Sequence, residues 1–211
     1  MFTDEEIESM RAQIVAALED TKREGIKNLI KWMDDNGFFT APCSTQYHLS
    51  CAGGLAQHSI NVLTTLRSMA KAICAADEIP AWETMSIVAL LHDLGKCGIF
   101  GKPNYVENWI KDGRPTKAEP EQKYKISESK PYKTNPDLLY LPHAIRSVEI
   151  ASKFIELTED EEFAIAAHDG LYGDLKYVVQ GHETPLYLLL HASDMWCSRV
   201  IEAEGEGATD E

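Results

Sequence analysis

Apolar residues recur every three or four positions through most of this chain, the spacing of one buried face on an α-helix. Helices are predicted over 4–19 and 24–36. The second carries Ile26, Leu29, Ile30 and Met33 on one stripe before Asn36-Gly37 stops it. After a loop with Pro42, Gly53-Gly54 opens a strongly amphipathic helix with Leu55, Val62, Leu66, Met69 and Ile73 at helical spacing. Pro80 precedes another helix through Leu94, apolar at Ile87, Leu90, Leu91 and Leu94 and closed by Gly95. The rhythm breaks over 96–140, where Pro103, Pro115, Pro120, Pro131 and Pro136 leave little periodicity. Within that stretch 122–127 reads as a strand, paired with part of 105–111 as a short β-hairpin. Helices resume over 142–156 and 159–168, and a last one starts near Glu183 or Thr184, with Pro185 in its first turn, and runs to Ala203. The expected fold class is all-α. One domain spans 1–203, with N-terminal helices in 1–40, a helical core in 53–203, an insertion at about 96–140 and a disordered acidic tail at 204–211.

Composition narrows the function classes. A hydrophobic fraction of 44% supports a substantial core, and no apolar run reaches the roughly 20 residues that span a bilayer. The start, MFTDEEIESMR, lacks the basic-then-apolar pattern of a secretory signal, so the expected location is cytoplasmic and no membrane partner is expected. Five widely spaced cysteines with no C-x-x-C pair argue against a disulfide framework or a thiolate zinc site, and read as reduced packing residues. A formal charge of −14 argues against long nucleic acid as a partner. Between Lys96 and Lys133, however, nine Lys or Arg stand against five Asp or Glu, a local excess of four positive charges suited to a small anionic partner.

The histidines supply the chemistry. His58 sits one turn after Leu55, His92 and Asp93 end the apolar run LLHDLGK, His143 opens the helix after the insertion, and His168 ends the next in AAHDG. Asp194 lies within the apolar helix LLLHASDM. An ionised carboxylate in such a setting costs several kcal/mol unless a cation or a partner meets it. Imidazole nitrogen with carboxylate oxygen is the donor set of zinc, iron, manganese and related divalent ions, and helices of a bundle can each contribute inward-facing ligands.

GGLAQHSINV, LLHDLGK, LPHAIRSVEI, AIAAHDG and LLLHASDM, in that order between about Gly53 and Ile201, together resemble the HD-domain metal-dependent phosphohydrolases. The resemblance is in particular to the small, stand-alone HD proteins of bacteria and their phages, in which a tyrosine-histidine pair precedes the first ligand, as Tyr47-His48 does here. That group often has Gly-His-Gly where this chain has Pro142-His143-Ala144, a change that keeps the ligand and alters the turn. The resemblance implies an HD-domain helical bundle with His58, His92, Asp93 and Asp194 as primary ligands. It implies one or two divalent transition-metal ions (Fe, Mn, Ni, Co or Zn): with two, His143 and His168 are further ligands and Asp93 the bridge; with one, His143 and His168 stand near the substrate.

The activity so implied is hydrolysis of a phosphoester or phosphoanhydride in a small anionic substrate, expected to be a nucleotide, by metal-activated water. Asp93 and Lys96 are the candidate catalytic residues, and His48, Lys96 and Arg146 the candidate substrate contacts. Lys96 reads equally well as a solvated lysine favoured by a helix C-terminus, and His48 as structural. Asp169 either orients an imidazole or caps a turn, and His191 reads as support. Tyr105, Trp109, Tyr124 and Tyr132 in the insertion are suited either to stacking on a base or to anchoring the loop. Two alternatives stand beside this reading, an HD-fold di-iron oxygenase and a non-catalytic nucleotide sensor.

Overall fold

Two threonines show how the sequence starts its helices. Thr3 and Thr158 each accept a hydrogen bond from the backbone N–H three residues on, and Glu6 and Glu161 each reach back to the threonine N–H, closing two capping boxes. They open α1 (Asp4–Asp20) and α6 (Glu159–Ala167). The remaining helices are α2 (Ile26–Asp35), α3 (Gly54–Ile73), α4 (Trp82–Leu91), α5 (His143–Ala151), α7 (Lys176–Val179) and α8 (Pro185–Trp196), the last capped by Thr184 with Pro185 in its first turn. These elements come from a computed structural model that describes residues 2–115 and 120–203, so the acidic tail expected at 204–211 lies outside them.

The architecture is mostly helical with a few short strands. Helix α3 is central and packs against α1, α4 and α8, while α6 packs against α4, α5 and α8. Leu55, Leu66, Ile87, Leu90, Leu91, Leu94 and Ile150 are fully buried in one core between these elements. Burying side chains of this size contributes about 1.5–3 kcal/mol each, which is what holds the helices in register.

The interruption at 96–140 is an arm of three small ladders. β1 (Gly98–Ile99) pairs with β2 (Lys102–Pro103), β3 (Tyr105–Glu107) with β6 (Tyr132–Thr134), and β4 (Trp109–Asp112) with β5 (Lys123–Ile126), all antiparallel. The strand expected at 122–127 is β5, and it faces β4, which overlaps the end of the expected 105–111 stretch and runs one residue past it. The β3–β6 ladder is an addition; Asn108 links it to β4–β5 through bonds with Pro131 and Ser127. At its root the arm is tied to the body: Tyr132 N–H donates to Thr45 O, and the buried Arg146 donates to Asn104 and to the Leu139 carbonyl.

Helix α5 stops at Ala151, short of the expected 156, and two further helices end earlier than their apolar patterns suggest. The one expected through Leu94 stops at Leu91 and continues as a tight 3-10 turn, Leu94–Cys97. The one expected to reach Ala203 is α-helical only to Trp196 and then widens into a π turn over Cys197–Ile201. Both departures shape the site below.

Candidate metal centre

Two helices end in the same way. At the end of α4, His92 folds its ring back so that Nδ1 donates to the Ala89 carbonyl at 2.9 Å; at the end of α6, His168 does the same to the Ile165 carbonyl at 2.8 Å. A carbonyl can only accept, so both Nδ1 atoms carry hydrogen and both Nε2 atoms face inward, available to a cation. An aspartate follows each histidine, Asp93 and Asp169, and a 3-10 turn follows each pair. Glycine is required in both turns. A Cβ on Gly95 would lie 2.3 Å from the His143 carbonyl oxygen, and Gly170, at φ +57°, lies against the His191 ring. His191 in turn donates from Nδ1 to the His168 carbonyl at 2.7 Å, the supporting role expected of it.

The other imidazoles meet these two. His58, on the buried face of α3, brings its Nε2 within 3.2 Å of His92 Nε2 and 3.1 Å of Asp194 Oδ1. His143, first residue of α5, brings its Nε2 within 3.3 Å of His168 Nε2. Asp93 stands between the pairs. Its Oδ2 is 3.4 Å from His92 Nε2 and 3.6 Å from His58 Nε2, and its Oδ1 is 3.1 Å from His143 Nε2 and 3.5 Å from His168 Nε2. Asp169 completes the second group, with Oδ2 3.6 Å from His143 Nε2. All six expected metal ligands are therefore brought together, in two overlapping groups that share Asp93.

The electrostatics are those of a centre that attracts positive charge. Burial pushes the Asp93 carboxyl up, but Lys96 and His92 outweigh it and hold the group well below the usual carboxylate range. Asp194 is likewise held low, against burial, by His58. Burial disfavours the His168 imidazolium, yet Asp93 and Asp169 raise its pKa to about 9. His58 is raised in the same manner by its anionic neighbours, Asp194 and Glu202 among them. His92 is instead lowered by burial and keeps its inward lone pair.

These residues fit a metal. Two ligand atoms about 2.0–2.2 Å from one tetrahedral ion lie about 3.3–3.6 Å apart, and the inward contacts run from 3.1 to 3.8 Å. Asp93 Oδ1 is buried and accepts no hydrogen bond of proper geometry, although two imidazoles stand beside it. A buried oxygen left in that state costs about 1–3 kcal/mol or more, and a cation between the rings removes the cost.

The expected catalytic and substrate residues divide. Lys96 joins the centre: its Nζ is 2.6 Å from Asp93 Oδ2. His48 lies at its edge, with Nε2 3.3 Å from Cys43 Sγ and its ring 5.2 Å from that of His58; burial brings its pKa down to about 4. Arg146 is committed elsewhere, to Asn104 and Leu139 at the root of the arm, with no bond to the centre among the described residues. Sequence reasoning missed two participants. Glu202 falls in the last turn of the helix expected to reach Ala203, yet the π turn carries it to His58, where Oε2 meets Nδ1 at 2.8 Å; π turns are frequent at functional sites. Cys43 reads as a packing residue, yet its sulfur is 4.0 Å from Asp93 Oδ2. With 144 positions between His58 and Glu202, no local pattern could have joined them.

No family model, no curated protein and no solved structure matches the chain.

Proposed function

We propose that this chain is a metal-dependent phosphohydrolase of the HD-domain type, cleaving a phosphoester or phosphoanhydride of a small anionic substrate, most plainly a nucleotide. One observation supports this above the others: a single buried carboxylate, Asp93, with an imidazole pair against each oxygen. A bound divalent ion lowers the pKa of water to about 7 and stabilises charge on phosphoryl oxygens, which is what phosphate-ester hydrolysis requires.

The chain's own groups would prepare the site for that chemistry. Ala89 and Ile165 carbonyls and the Glu202 carboxylate bind the outer nitrogens of His92, His168 and His58, so three rings are aimed before any ion arrives. The inner wall is closed, with His58 and His92 fully buried, while the side chains of His143, Asp169, Asp194 and Lys96 are partly open to solvent. Substrate would enter from that side. There the Lys96 ammonium would offer a point charge to a phosphate oxygen without leaving Asp93 far behind. The basic arm begins one turn beyond Asp93 and returns at His143, so both its ends are fixed to the centre.

The test is metal analysis of the purified protein, followed by a screen of nucleotides and artificial phosphodiesters with manganese, nickel, cobalt and iron. Metal-dependent phosphate release that disappears in Asp93→Ala is expected. Full turnover in that variant would overturn the reading. Oxygen consumption by iron-loaded protein without phosphate release would move the chain to the oxygenase class.

A further inference from the structure

We propose that Cys43 is a metal ligand, and that with His48 it adds a thiolate–imidazole face to the ion held by His58, an ion of zinc or cobalt type at the inner wall of the centre. The inference rests on the reading that this centre binds divalent metal.

The geometry comes first. Cys43 is fully buried, and its Sγ lies 3.3 Å from His48 Nε2; ligand atoms of Cys43, His48 and His58 all fall within 4.8 Å of one another. A thiolate about 2.3 Å and an imidazole nitrogen about 2.0–2.1 Å from one tetrahedral ion lie about 3.5 Å apart. The sulfur also faces the charged part of the centre, 4.0 Å from Asp93 Oδ2 and 4.0 Å from Lys96 Nζ.

The loop is built to hold the two side chains together. Cys43 N–H donates to Leu49 O at 3.1 Å, Ser44 Oγ donates to His48 O at 2.8 Å, and Tyr47 N–H donates to Ser44 Oγ at 2.9 Å. The turn 43–49 is thereby closed before α3 begins. Gly54 permits it: a Cβ there would sit 2.0 Å from the Leu49 carbonyl oxygen. Cys97 and Cys197 provide the contrast. Cys97 Sγ donates to the Leu94 carbonyl at 3.1 Å and Cys197 Sγ meets the Thr65 hydroxyl at 3.3 Å, which are ordinary ways to satisfy a buried thiol.

In the absence of an ion, Cys43 Sγ shares a hydrogen bond with His48 Nε2 at 3.3 Å and lies 4.0 Å from Asp93 Oδ2. On binding, the S–H bond breaks, a sulfur–metal bond forms and one proton leaves to solvent; no electrons are transferred. A thiolate in the donor set favours zinc and cobalt over magnesium or manganese, so the subsite would set which ion the centre keeps.

Cobalt(II) alone is the probe, titrated into metal-free full-length protein while the absorption spectrum is recorded. A thiolate-to-cobalt charge-transfer band in the near ultraviolet, saturating with cobalt and lost in Cys43→Ser, is expected. Visible ligand-field bands without the charge-transfer band would overturn the subsite and leave the histidine–aspartate centre standing. Absence of any cobalt spectrum would overturn both. A band that persists in folded Cys43→Ser would also sink the assignment. Should that variant not fold, retention of the band in Cys51→Ser, Cys74→Ser, Cys97→Ser and Cys197→Ser assigns the sulfur by elimination, and its loss in any of them overturns Cys43.

Discussion

Among the buried carboxylates of the described residues, Glu161 and Asp93 are treated in opposite ways. Glu161 and His168 lie seven residues apart on α6, two turns on one face, so a single helix serves both. Glu161 has no exposed side-chain surface, and all its needs are met: Arg23 binds both its oxygens at 2.9 and 3.0 Å, and Thr158 N–H donates to Oε2 at 2.9 Å. Arg23 is itself completed by Glu83 and the Glu156 carbonyl. Asp93 is just as deeply buried, yet one oxygen accepts no proper hydrogen bond and its neighbours are imidazole nitrogens. A bidentate guanidinium closes a site, because its donors are fixed and its charge cannot be displaced. Imidazoles leave a site open, because each inward nitrogen can exchange a proton for a metal. The pairing partner, more than the depth of burial, separates a structural ion pair from a centre that takes a ligand.

The sharpest way to break this contrast is at Asp93. Asp93→Ala is expected to remove all tightly bound metal, read by elemental analysis, while circular dichroism shows the fold retained, since Lys96 can turn its ammonium toward solvent. Full metal content in that variant would make Asp93 one more structural ion pair. Glu161→Ala should do the reverse. It removes the bidentate partner of Arg23, which keeps Glu83, and is expected to cost about 1.5–3 kcal/mol in urea unfolding, with metal stoichiometry unchanged in the folded fraction. The acid limb tests the same pair. Burial pushes the Glu161 carboxyl up, but Arg23 and the Thr158 N–H hold it below its ordinary range. Its contribution is therefore complete above the unfolded glutamate pKa and is lost as pH falls through the lower folded value. Urea midpoints measured down the acid limb should fall more steeply for wild type than for Glu161→Gln; parallel curves would reject the coupling.

Smaller effects refine the comparison. Glu202→Gln weakens the orientation of His58 and is expected to lower metal affinity about 10–100-fold, read by competition with a chelator; no change would mean that His58 is aimed by packing alone. Thr158→Ala removes the cap that α6 shares with Glu161 and should cost about 1 kcal/mol. If it also altered metal affinity, the two ends of α6 would be less independent than the geometry indicates.

Much of this was readable along the chain. The helical stripes announce α2 and α3, and the His-Asp pairs at the ends of two helices mark His92, Asp93, His168 and Asp169. Periodicity and helix punctuation are local properties, so sequence determines them by itself: a mostly helical chain, an interruption at about 96–140, and histidines on buried faces. Which of those histidines meet was decided only in three dimensions. Arg23 and Glu161 are 138 positions apart, and His58 and Glu202 are 144. Their contacts arise from the packing of α3 against α8 and from a π turn that departs from the expected helix. Arg146, expected at the substrate, was taken by the arm instead, because a buried guanidinium binds the acceptors that packing places beside it. The sequence alone determined the kinds of ligand and the ends of the helices that carry them. Tertiary packing decided that four imidazoles surround one carboxylate, because the direction of a side chain across a core depends on the sum of many distant contacts and not on its neighbours in the chain.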